Sequence, residues 1–526
     1  MNARKKKGKS RSRSKSTVSD IVENRDEYFG GGIEKYSVKI SKLMGRYMVA
    51  NVDLRPGEVI LSELPIVVGP CTGCKVQCLG CYKNLEERTF TKCKQCGWPL
   101  CSQKCKGIGS IFGHTETECF ILKQTNSARF LNYKNVSTIR THLHAIAPLR
   151  CLLLKTTSPD QYNLILNMEH HNPLRQNIPE VWNTNQINVV DRIIKDWGLK
   201  EYSEEEIHTV CGILEVNCFE IGHDVNVRGL YPKAFLMAHD CVPNTNHNDE
   251  ENYELTVRAS TKIFQGQAIT LSYAYTLQST LKRREHLLNN KFFECFCKRC
   301  SDPTELGSYS SALLCPKCTT GIVLCDNPLH AESTWSCTEL SKKCPGYTIT
   351  AKSMKLLLDR ITEEVDGIDC NDVATMEYFL SKYRNVLHPK HYINFGIKVS
   401  LSQLYGKTKG FLIQELNEDQ LERKIEICRE VLEVLDVIEP GFTRIRGVTL
   451  YELHAPLMIL FTRQAAEKNL SKSEFKRRLR EIFNYLKEAS VILQFEPKSS
   501  AEGKMGQAAR EALKQVEEWQ KIIGKF

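Results

Sequence analysis

The alternation of apolar and polar positions predicts two strand-rich segments along the chain. Residues 36–70 read YSVKISKLMGRYMVANVDLRPGEVILSELPIVVGP, with Arg-Pro-Gly and Leu-Pro as turns, and this pattern predicts two or three short strands. The same alternation returns in YELTVRAST and AITLSYAY, which the turn-forming QGQ separates. Strands are therefore expected again between residues 216 and 275.

Two other segments show helical periodicity instead. Residues 120–215 contain RTHLHAIAPLRCLLLK and NQINVVDRIIKDWGLK, and the second is predicted to place Ile187, Val190, Ile194 and Trp197 on one face. After about residue 350, ERKIEICREVLEVLDVI and EFKRRLREIFNYLKEASVIL are strongly amphipathic and predict paired helices to the end of the chain. The patterns together predict an α+β fold with an all-helical C-terminal domain.

Composition narrows the class of protein. Of the 526 residues, 41% are hydrophobic and 25% are charged, as in soluble globular proteins of several domains. No run of about 18 apolar residues is present, so no membrane-spanning helix and no membrane partner are expected. The N-terminal charges precede no apolar stretch, so no secretory signal is expected either.

The net charge of +10 is concentrated at the N-terminus. Residues 1–16, MNARKKKGKSRSRSKS, contain eight Lys or Arg and no acid, so the rest of the chain carries only +2. This segment is predicted to be a disordered basic tail that acts in nuclear import, makes weak nucleic-acid contact, or is simply solvated. Nucleic-acid binding beyond the tail is not expected.

The 23 cysteines are clustered, which favours metal binding in a chain that keeps its thiols reduced. Eight Cys and His residues within 42 positions have the spacing of two tetrahedral zinc sites. Cys71 and Cys74, just upstream, are interpreted as free thiols. The eight predicted ligands are Cys78, Cys81, Cys93, Cys96, Cys101, Cys105, His114 and Cys119.

Further cysteines predict a third zinc site and an optional fourth. FFECFCKRC supplies three ligands, Cys295, Cys297 and Cys300, and the isolated Cys241 is the candidate for the missing one. A zinc ribbon is the second hypothesis, although its Cys-x6-Cys spacing is unusual. It would use Cys315, Cys318, Cys337 and Cys344. At least three structural zinc ions are thus expected.

The order of the first eight ligands resembles the MYND zinc finger. That resemblance assigns Cys78, Cys81, Cys101 and Cys105 to one ion and the other four to the second ion, with one residue more than usual between His114 and Cys119. LMAHDCVPN, LTVRASTKIFQGQAITLSYAY, LKRREHLL and FFECFCKRC look like the C-terminal half of a SET domain, and GRYMVANVDLRPGEVIL like its first strands. A finger between two SET halves resembles the SET and MYND domain-containing (SMYD) family, most closely its arthropod SmydA branch.

The resemblance divides the chain into seven parts. The expected order is a basic tail (1–32), SET N-terminal strands (33–70), a MYND finger (71–119), a helical insert (120–215), the SET C-terminal part (216–290), a post-SET zinc region (291–345) and a TPR-like helical domain (346–526).

The resemblance also implies a protein-lysine N-methyltransferase that uses S-adenosylmethionine. The expected catalytic residue is Tyr273, in the lysine channel. Near the cofactor, Tyr47 and Ala238 of this sequence replace two residues that are typical of the family. In the lysine channel, Lys291 replaces a second tyrosine. The expected cofactor-binding residues are Met44, Gly45, Arg46, Ala238, His239 and Phe293.

Two functions remain open at this point. The first is a methyltransferase, monomeric and cytoplasmic or nuclear, that acts on a histone or non-histone lysine in transcriptional regulation. The alternative is an inactive SET scaffold that serves as an adaptor. In both, the MYND finger is expected to bind Pro-containing peptides.

Overall fold

The computed structural model describes residues 34–86, 90–222, 225–318, 320–339, 344, 346–467 and 471–523. Strands and helices mix in the first two thirds of the chain, and the last third is helical. The predicted α+β class and the helical C-terminal region are confirmed. The basic tail lies outside the described residues.

The N-terminal segment forms four strands rather than the two or three predicted. They are β1 (Tyr36–Ser41), β2 (Gly45–Ala50), β3 (Val59–Glu63) and β4 (Val67–Pro70). β1 and β2 form an antiparallel hairpin. The Arg-Pro-Gly turn lies between β2 and β3, and its Gly57 has φ +82°, a left-handed conformation that glycine adopts without steric cost.

The finger and the segment after it contain little strand. The strands in the described part of the finger are β5 (Thr91–Lys92) and β6 (Pro99–Leu100). A series of α-helices then runs to residue 217. They are α1 (Glu116–Gln124), α2 (Val136–Leu143), α3 (Ile146–Thr157), α4 (Pro159–Leu166), α5 (Asn172–Arg175), α6 (Pro179–Asn185) and α7 (Glu204–Asn217).

One predicted helix face is wrong in part. Residues Gln186–Val190 and Arg192–Asp196 form π-helical turns, in which the hydrogen bonds span five residues instead of four. The wider turn changes which side chains share a face. Val190 and Trp197 are buried as predicted, but Ile187 is 60% exposed and Ile193 is fully buried.

Strands from before and after the finger pair with one another. The later ones are β7 (Phe219–Ile221), β8 (Val227–Leu230), β9 (Ala238–His239), β10 (Thr245–Asp249), β11 (Leu255–Ala259) and β12 (Thr270–Leu271). β3 pairs with β11 and β4 pairs with β8, both antiparallel, while β9 and β12 are parallel. The two segments that flank the finger and the helices therefore build one β-rich core.

The rest of the chain begins with α8 (Thr280–Lys291) and α9 (Lys298–Ser301). An antiparallel four-stranded sheet follows, formed by β13 (Leu313–Leu314), β14 (Ile322–Cys325), β15 (Trp335–Cys337) and β16 (Thr348–Ile349). The C-terminal helices are α10 (Ala351–Asp366), α11 (Val373–Lys382), α12 (Tyr392–Leu404), α13 (Glu418–Ile438), α14 (Arg444–Ala466), α15 (Lys472–Leu493) and α16 (Ala501–Ile523). The two amphipathic sequences predicted to be helical lie in α13 and α15.

Candidate metal centres and active site

The finger brings its first four predicted ligands together. The Sγ atoms of Cys78 and Cys105 are 3.7 Å apart, and those of Cys81 and Cys101 are 3.6 Å apart. All four sulfurs lie within 4.8 Å of one another. Four thiolates at such distances can surround one tetrahedral zinc ion.

The second group of the finger is Cys93, Cys96, His114 and Cys119, and its ligand atoms also lie within 4.8 Å of one another. The Nε2 atom of His114 is 3.3 Å from the Sγ atom of Cys96. Its Nδ1 atom is 2.7 Å from the Glu118 carboxylate. A carboxylate on the far nitrogen orients an imidazole toward a metal, so one of the four residues that separate His114 from Cys119 acts as a support for the site.

A buried arginine connects this support to the strand core. Arg150, on α3, forms an ion pair with Glu118 and donates a hydrogen bond to the Tyr82 hydroxyl. It also donates to the main-chain oxygens of Val68 in β4, at 2.8 Å, and of Leu79 in the finger, at 3.2 Å. Burial alone would raise the pKa of Glu118, but Arg150 and His114 hold it below its usual range. No sequence pattern indicated this role of Arg150, which lies in an ordinary helical segment.

The third group joins residues that are distant in sequence. The Sγ atom of Cys241, from the loop between β9 and β10, lies 3.5 Å from that of Cys300 and 3.9 Å from that of Cys295. With Cys297 they form a cluster within 4.8 Å. The Nε2 atom of His239 is 3.3 Å from the Cys241 sulfur, but His239 is not one of the four grouped ligands.

Two buried arginines and one glutamate surround this third cluster. The Arg283 guanidinium is 3.7 Å from the Cys300 sulfur and 2.9 Å from the Glu305 carboxylate. Arg299 is 3.1 Å from the same carboxylate and donates to the Cys241 carbonyl at 3.3 Å. A zinc ion with four thiolates carries a net charge of −2, which the two guanidinium groups offset in a buried region. No sequence pattern indicated these roles of Arg283 and Arg299.

The fourth group belongs to the four-stranded sheet. Its Sγ atoms pair at 3.8 Å, Cys315 with Cys344 and Cys318 with Cys337, and all four lie within 4.8 Å. The main-chain N–H of Gly321 donates to the Cys318 sulfur at 3.2 Å. All four groups thus have donor sets and spacings that suit structural zinc.

The two upstream cysteines lie outside these groups, as far as the described residues show. Burial raises the pKa of the Cys71 thiol to about 11 and that of Cys74 to about 12.

Three aromatic rings meet beside the third cluster. The ring centres of His239 and Tyr273 are 5.3 Å apart, and those of His239 and Phe293 are 5.8 Å apart. Tyr273 and Phe293 meet edge to face at 6.2 Å. The parallel pairing of β9 with β12 brings His239 and Tyr273 together, since Tyr273 follows β12 by two residues.

Tyr273 is held in place at both ends. Its main-chain N–H donates to the Nδ1 atom of His239 at 2.9 Å, and its hydroxyl donates to the Met237 carbonyl. Burial raises the pKa of the Tyr273 hydroxyl to about 12, so it remains a neutral phenol near pH 7. His239 has both ring nitrogens engaged, one by Tyr273 and one beside Cys241.

The predicted cofactor loop is open to solvent. Met44, Gly45 and Arg46 are exposed, and Gly45 has φ +63° with open space on the side where a β-carbon would lie. The Arg46 guanidinium donates to the Asn167 carbonyl and lies 5.5 Å from the Phe235 ring. Two replaced positions lie in regular strands: Tyr47 is half-buried in β2, and Ala238 is buried in β9.

Lys291 binds the end of a neighbouring helix. Its ammonium donates to the main-chain oxygens of Glu215, at 3.0 Å, and Val216, at 2.9 Å, in the last turn of α7. Burial lowers the pKa of Lys291, while the nearby Glu215 opposes that shift. A cation at the C-terminus of a helix is favourable, because unpaired carbonyls give that end a partial negative charge.

A large cleft lies against the strand segment that contains Tyr273. Its volume is about 1200 Å³, and Leu271, Ser272, Ala274 and Tyr275 contribute to its lining. The opposite wall comes from the C-terminal helices, including Val448 of α14. The cleft is large enough to take an extended protein segment, although none of the three rings lines it.

Several known proteins are similar to this chain. SET domain-containing protein SmydA-8, isoform B, from Drosophila melanogaster is 27% identical over 423 residues, which are 77% of this chain and 88% of the relative. The chain is similar to proteins of the SMYD family. Other similar proteins include histone-lysine N-methyltransferase ASHR1 of Arabidopsis thaliana, which is 26% identical over 77% of the chain and 82% of the relative. Histone-lysine N-methyltransferase SMYD3 of Mus musculus is 26% identical over 49% of this chain and 59% of the relative.

Two other comparisons were made with known families and structures. No protein-family model matches the chain. A solved SET domain of LSMT, bound to lysine and AdoHcy, covers 81% of this chain and 82% of its own with 14% identity and a TM-score of 0.25, which is too low for an argument about the fold. Within the described residues, no helix is long and apolar enough to cross a membrane.

Proposed function

We propose that the protein is an S-adenosylmethionine-dependent protein-lysine N-methyltransferase. The observation that carries this proposal is the packing of His239, Tyr273 and Phe293 around one another, directly beside a four-cysteine cluster. The relatives that are named histone-lysine N-methyltransferases support it. We also propose that the four Cys and His groups bind zinc as structural sites.

The residues near the rings fit such a cofactor. The exposed backbone at Gly45 has room on its open side, as a bulky ligand needs, and the half-buried Phe293 offers an aromatic face for an adenine ring. Ala238 provides no side-chain hydrogen bond, and His239 offers its ring face and main chain but no free ring nitrogen. When bound, the cofactor supplies an electrophilic methyl group on a sulfonium.

Tyr273 is proposed to align the substrate amine. A phenol with a pKa of about 12 is not a base near pH 7, so its contribution is one of position and hydrogen bonding. Its proton is donated to the Met237 carbonyl, which leaves its oxygen lone pairs to accept from an ε-amine. Fixing the amine in line with the methyl group replaces a bimolecular encounter by an oriented one.

The proposed substrate is a protein segment with a target lysine, histone or non-histone. Lys291 is no obstacle to a cationic substrate, because its ammonium is bound to the end of α7. We propose cytoplasmic or nuclear action in transcriptional regulation by a monomer, with Pro-containing peptides bound by the finger and no nucleic-acid contact beyond the tail.

The test is transfer of an isotopically labelled methyl group from the cofactor to a lysine-rich protein. Tyr273→Phe is expected to lower the transfer rate by about 10²-fold, the range for a lost positioning group, with cofactor affinity nearly unchanged. Tyr378→Phe is the matched control, because Tyr378 is 64% exposed on α11. Equal rates for Tyr273→Phe and wild type would contradict the proposal.

An adaptor without turnover is the second candidate, and the absence of an amide side chain at Ala238 favours it. In that case the chain would recruit partners through the finger, and catalysis would not matter in cells. Tyr273→Phe would then leave cellular function unchanged, whereas removal of the finger ligand Cys78 would abolish it.

A further inference from the structure

A small polar cavity lies on the side of the strand core that faces the helical segment. Its walls come from the segment after β4, the loop before α3, the end of α6, the π-helical turn that follows, α7 and β8. Its volume is about 20 Å³, which is more than the roughly 10–15 Å³ that one water-sized sphere needs. A cavity of this size holds one or two water molecules or a single small ion.

Arg228, on β8, brings a poorly compensated positive charge to this cavity. Its side chain is only 11% exposed, yet its guanidinium makes no hydrogen bond within the described residues, and its Nε atom is fully enclosed. The Glu215 carboxylate lies 3.9 Å from its Nη1 atom, which is beyond hydrogen-bond distance. Buried arginines normally have partners for their N–H groups, because an uncompensated buried charge is costly. Arg228 therefore has donors left for a ligand in the cavity.

Other cations rely on the same carboxylate. Arg175 is fully buried, and its Nε and Nη2 atoms have no hydrogen-bond partner. Burial lowers the pKa of Arg175 and that of Lys291, and Glu215 is among the groups that oppose both shifts. Glu215 is 41% exposed, so water screens its charge, and the second acid beside Lys291, Glu220, is exposed as well. Three cations against two exposed acids leave an excess positive charge that one anion would offset.

His144 and two asparagines add neutral donors to the cavity lining. The main-chain N–H of Gly73 donates to the Nε2 atom of His144 at 3.1 Å, so the neutral ring carries its proton on Nδ1. Burial and two nearby arginines lower the pKa of His144, which keeps the ring neutral near pH 7. The side-chain amides of Asn185 and Asn188 make no hydrogen bond within the part of the chain that the structure describes. Asn188 lies in the π-helical turn Gln186–Val190, a type of turn that is frequent at functional sites.

We propose that this cavity binds one small monovalent anion of the size of chloride, next to the Arg228 guanidinium. The donors are the terminal nitrogens of Arg228, the ring N–H of His144 and the amides of Asn185 and Asn188. The volume favours chloride over phosphate or sulfate. The Glu215 carboxylate also lines the cavity, and its exposure to water limits its repulsion of the anion. The site goes beyond the proposed methyl transfer and does not depend on it.

The test measures the chloride NMR line width in solutions of the zinc-loaded full chain, because exchange with a protein site broadens the signal of the bulk ion. Wild type is expected to give an excess line width that saturates with chloride and that bromide removes, whereas sulfate at equal ionic strength does not. Arg228→Gln is expected to weaken chloride binding by about tenfold or more, the range for a lost hydrogen bond from a charged group. Asn188→Leu keeps the arginine and should weaken binding by about fivefold, as the loss of a neutral hydrogen bond does.

Arg446→Gln is the matched control, because Arg446 is 16% exposed and its charge is already compensated by Asp436 and Glu488. It should bind chloride as wild type does, and zinc content with circular dichroism reports that each variant is folded. The absence of a saturable line width in wild type would overturn the proposal and leave only water in the cavity. Equal losses from Arg228→Gln and Arg446→Gln, or displacement by sulfate as readily as by bromide, would also overturn it. If Arg228→Gln does not fold, unchanged binding by Asn188→Leu rejects the site.

Discussion

The third and fourth cysteine clusters differ in how they are built into the molecule. The third takes Cys241 from the strand core and the other ligands from 54 or more residues later, and Arg283, Arg299 and Glu305 surround it. The fourth is local to the four-stranded sheet, and the Gly321 N–H donates to one of its sulfurs. A cluster that joins distant segments positions its neighbours, whereas a local one stabilises mainly its own sheet.

The third cluster has the rings of His239, Tyr273 and Phe293 as its neighbours. His239 lies two residues before Cys241, and Phe293 two residues before Cys295, so both rings depend on the ligands of the third cluster for their positions. Arg299 extends the connection to the segment after Tyr273, because it donates to the Thr276 carbonyl at 2.6 Å. Disturbance of the third cluster is therefore expected to reach the active site, and disturbance of the fourth is not.

The largest expected effect separates the two clusters directly. Cys300→Ser should remove zinc from the third cluster and weaken cofactor binding by about 100-fold or more, since even the loss of a supporting residue costs 10–100-fold in metal sites. Cys318→Ser should lower the zinc content by one ion and leave cofactor affinity within about twofold. Metal analysis and calorimetry measure both quantities. If the two variants lose cofactor affinity to a similar extent, the third and fourth clusters do not differ in their effect on the active site.

A second effect, on stability, is expected from the buried arginines. Arg299→Met leaves Glu305 and the thiolates with less compensating charge, and removing one partner of a buried ion pair costs about 3–5 kcal/mol of unfolding free energy. The measurements are urea unfolding and the rate of zinc release to a chelator.

Lys382→Met is the matched control for the arginine variant. It removes an exposed ion pair with Glu364, so the free energy of unfolding should stay close to that of wild type. If the two variants lose equal stability, the buried arginines do not support the third cluster.

The smallest effect concerns Lys291, at the end of the helix that precedes the third cluster. Lys291→Met loses two hydrogen bonds from a charged group to α7 and should cost about 1.5–3 kcal/mol in urea unfolding, with all four zinc ions retained. Methyl transfer should change by less than about twofold at equal folded fraction. A large rise in transfer at unchanged stability would place the ammonium in the lysine channel instead.

The sequence predicted the ligand groups better than their surroundings. Cys-x2-Cys turns are local, so their spacing predicts that the two sulfurs of each turn meet. The division of the finger pairs between two ions came from the family resemblance, and Cys241 was the candidate for a missing fourth ligand. Arg150, Arg283 and Arg299 could not be recognised, because their roles depend on tertiary contacts between segments far apart in the chain. The sequence pattern also placed Ile187 on the same face as the buried Val190, yet Ile187 is exposed. The pattern assumes 3.6 residues per turn, and the π-helical turns depart from that value.

The most direct test of the account is calorimetric titration of the zinc-loaded full chain with S-adenosylmethionine. We predict binding of one cofactor per chain, which is weakened when Phe293→Ala removes the ring beside His239 and Tyr273. The control Phe120→Ala, at a position 60% exposed on α1, should bind as wild type does. The absence of binding heat at millimolar cofactor, in protein that retains its zinc, would contradict the account.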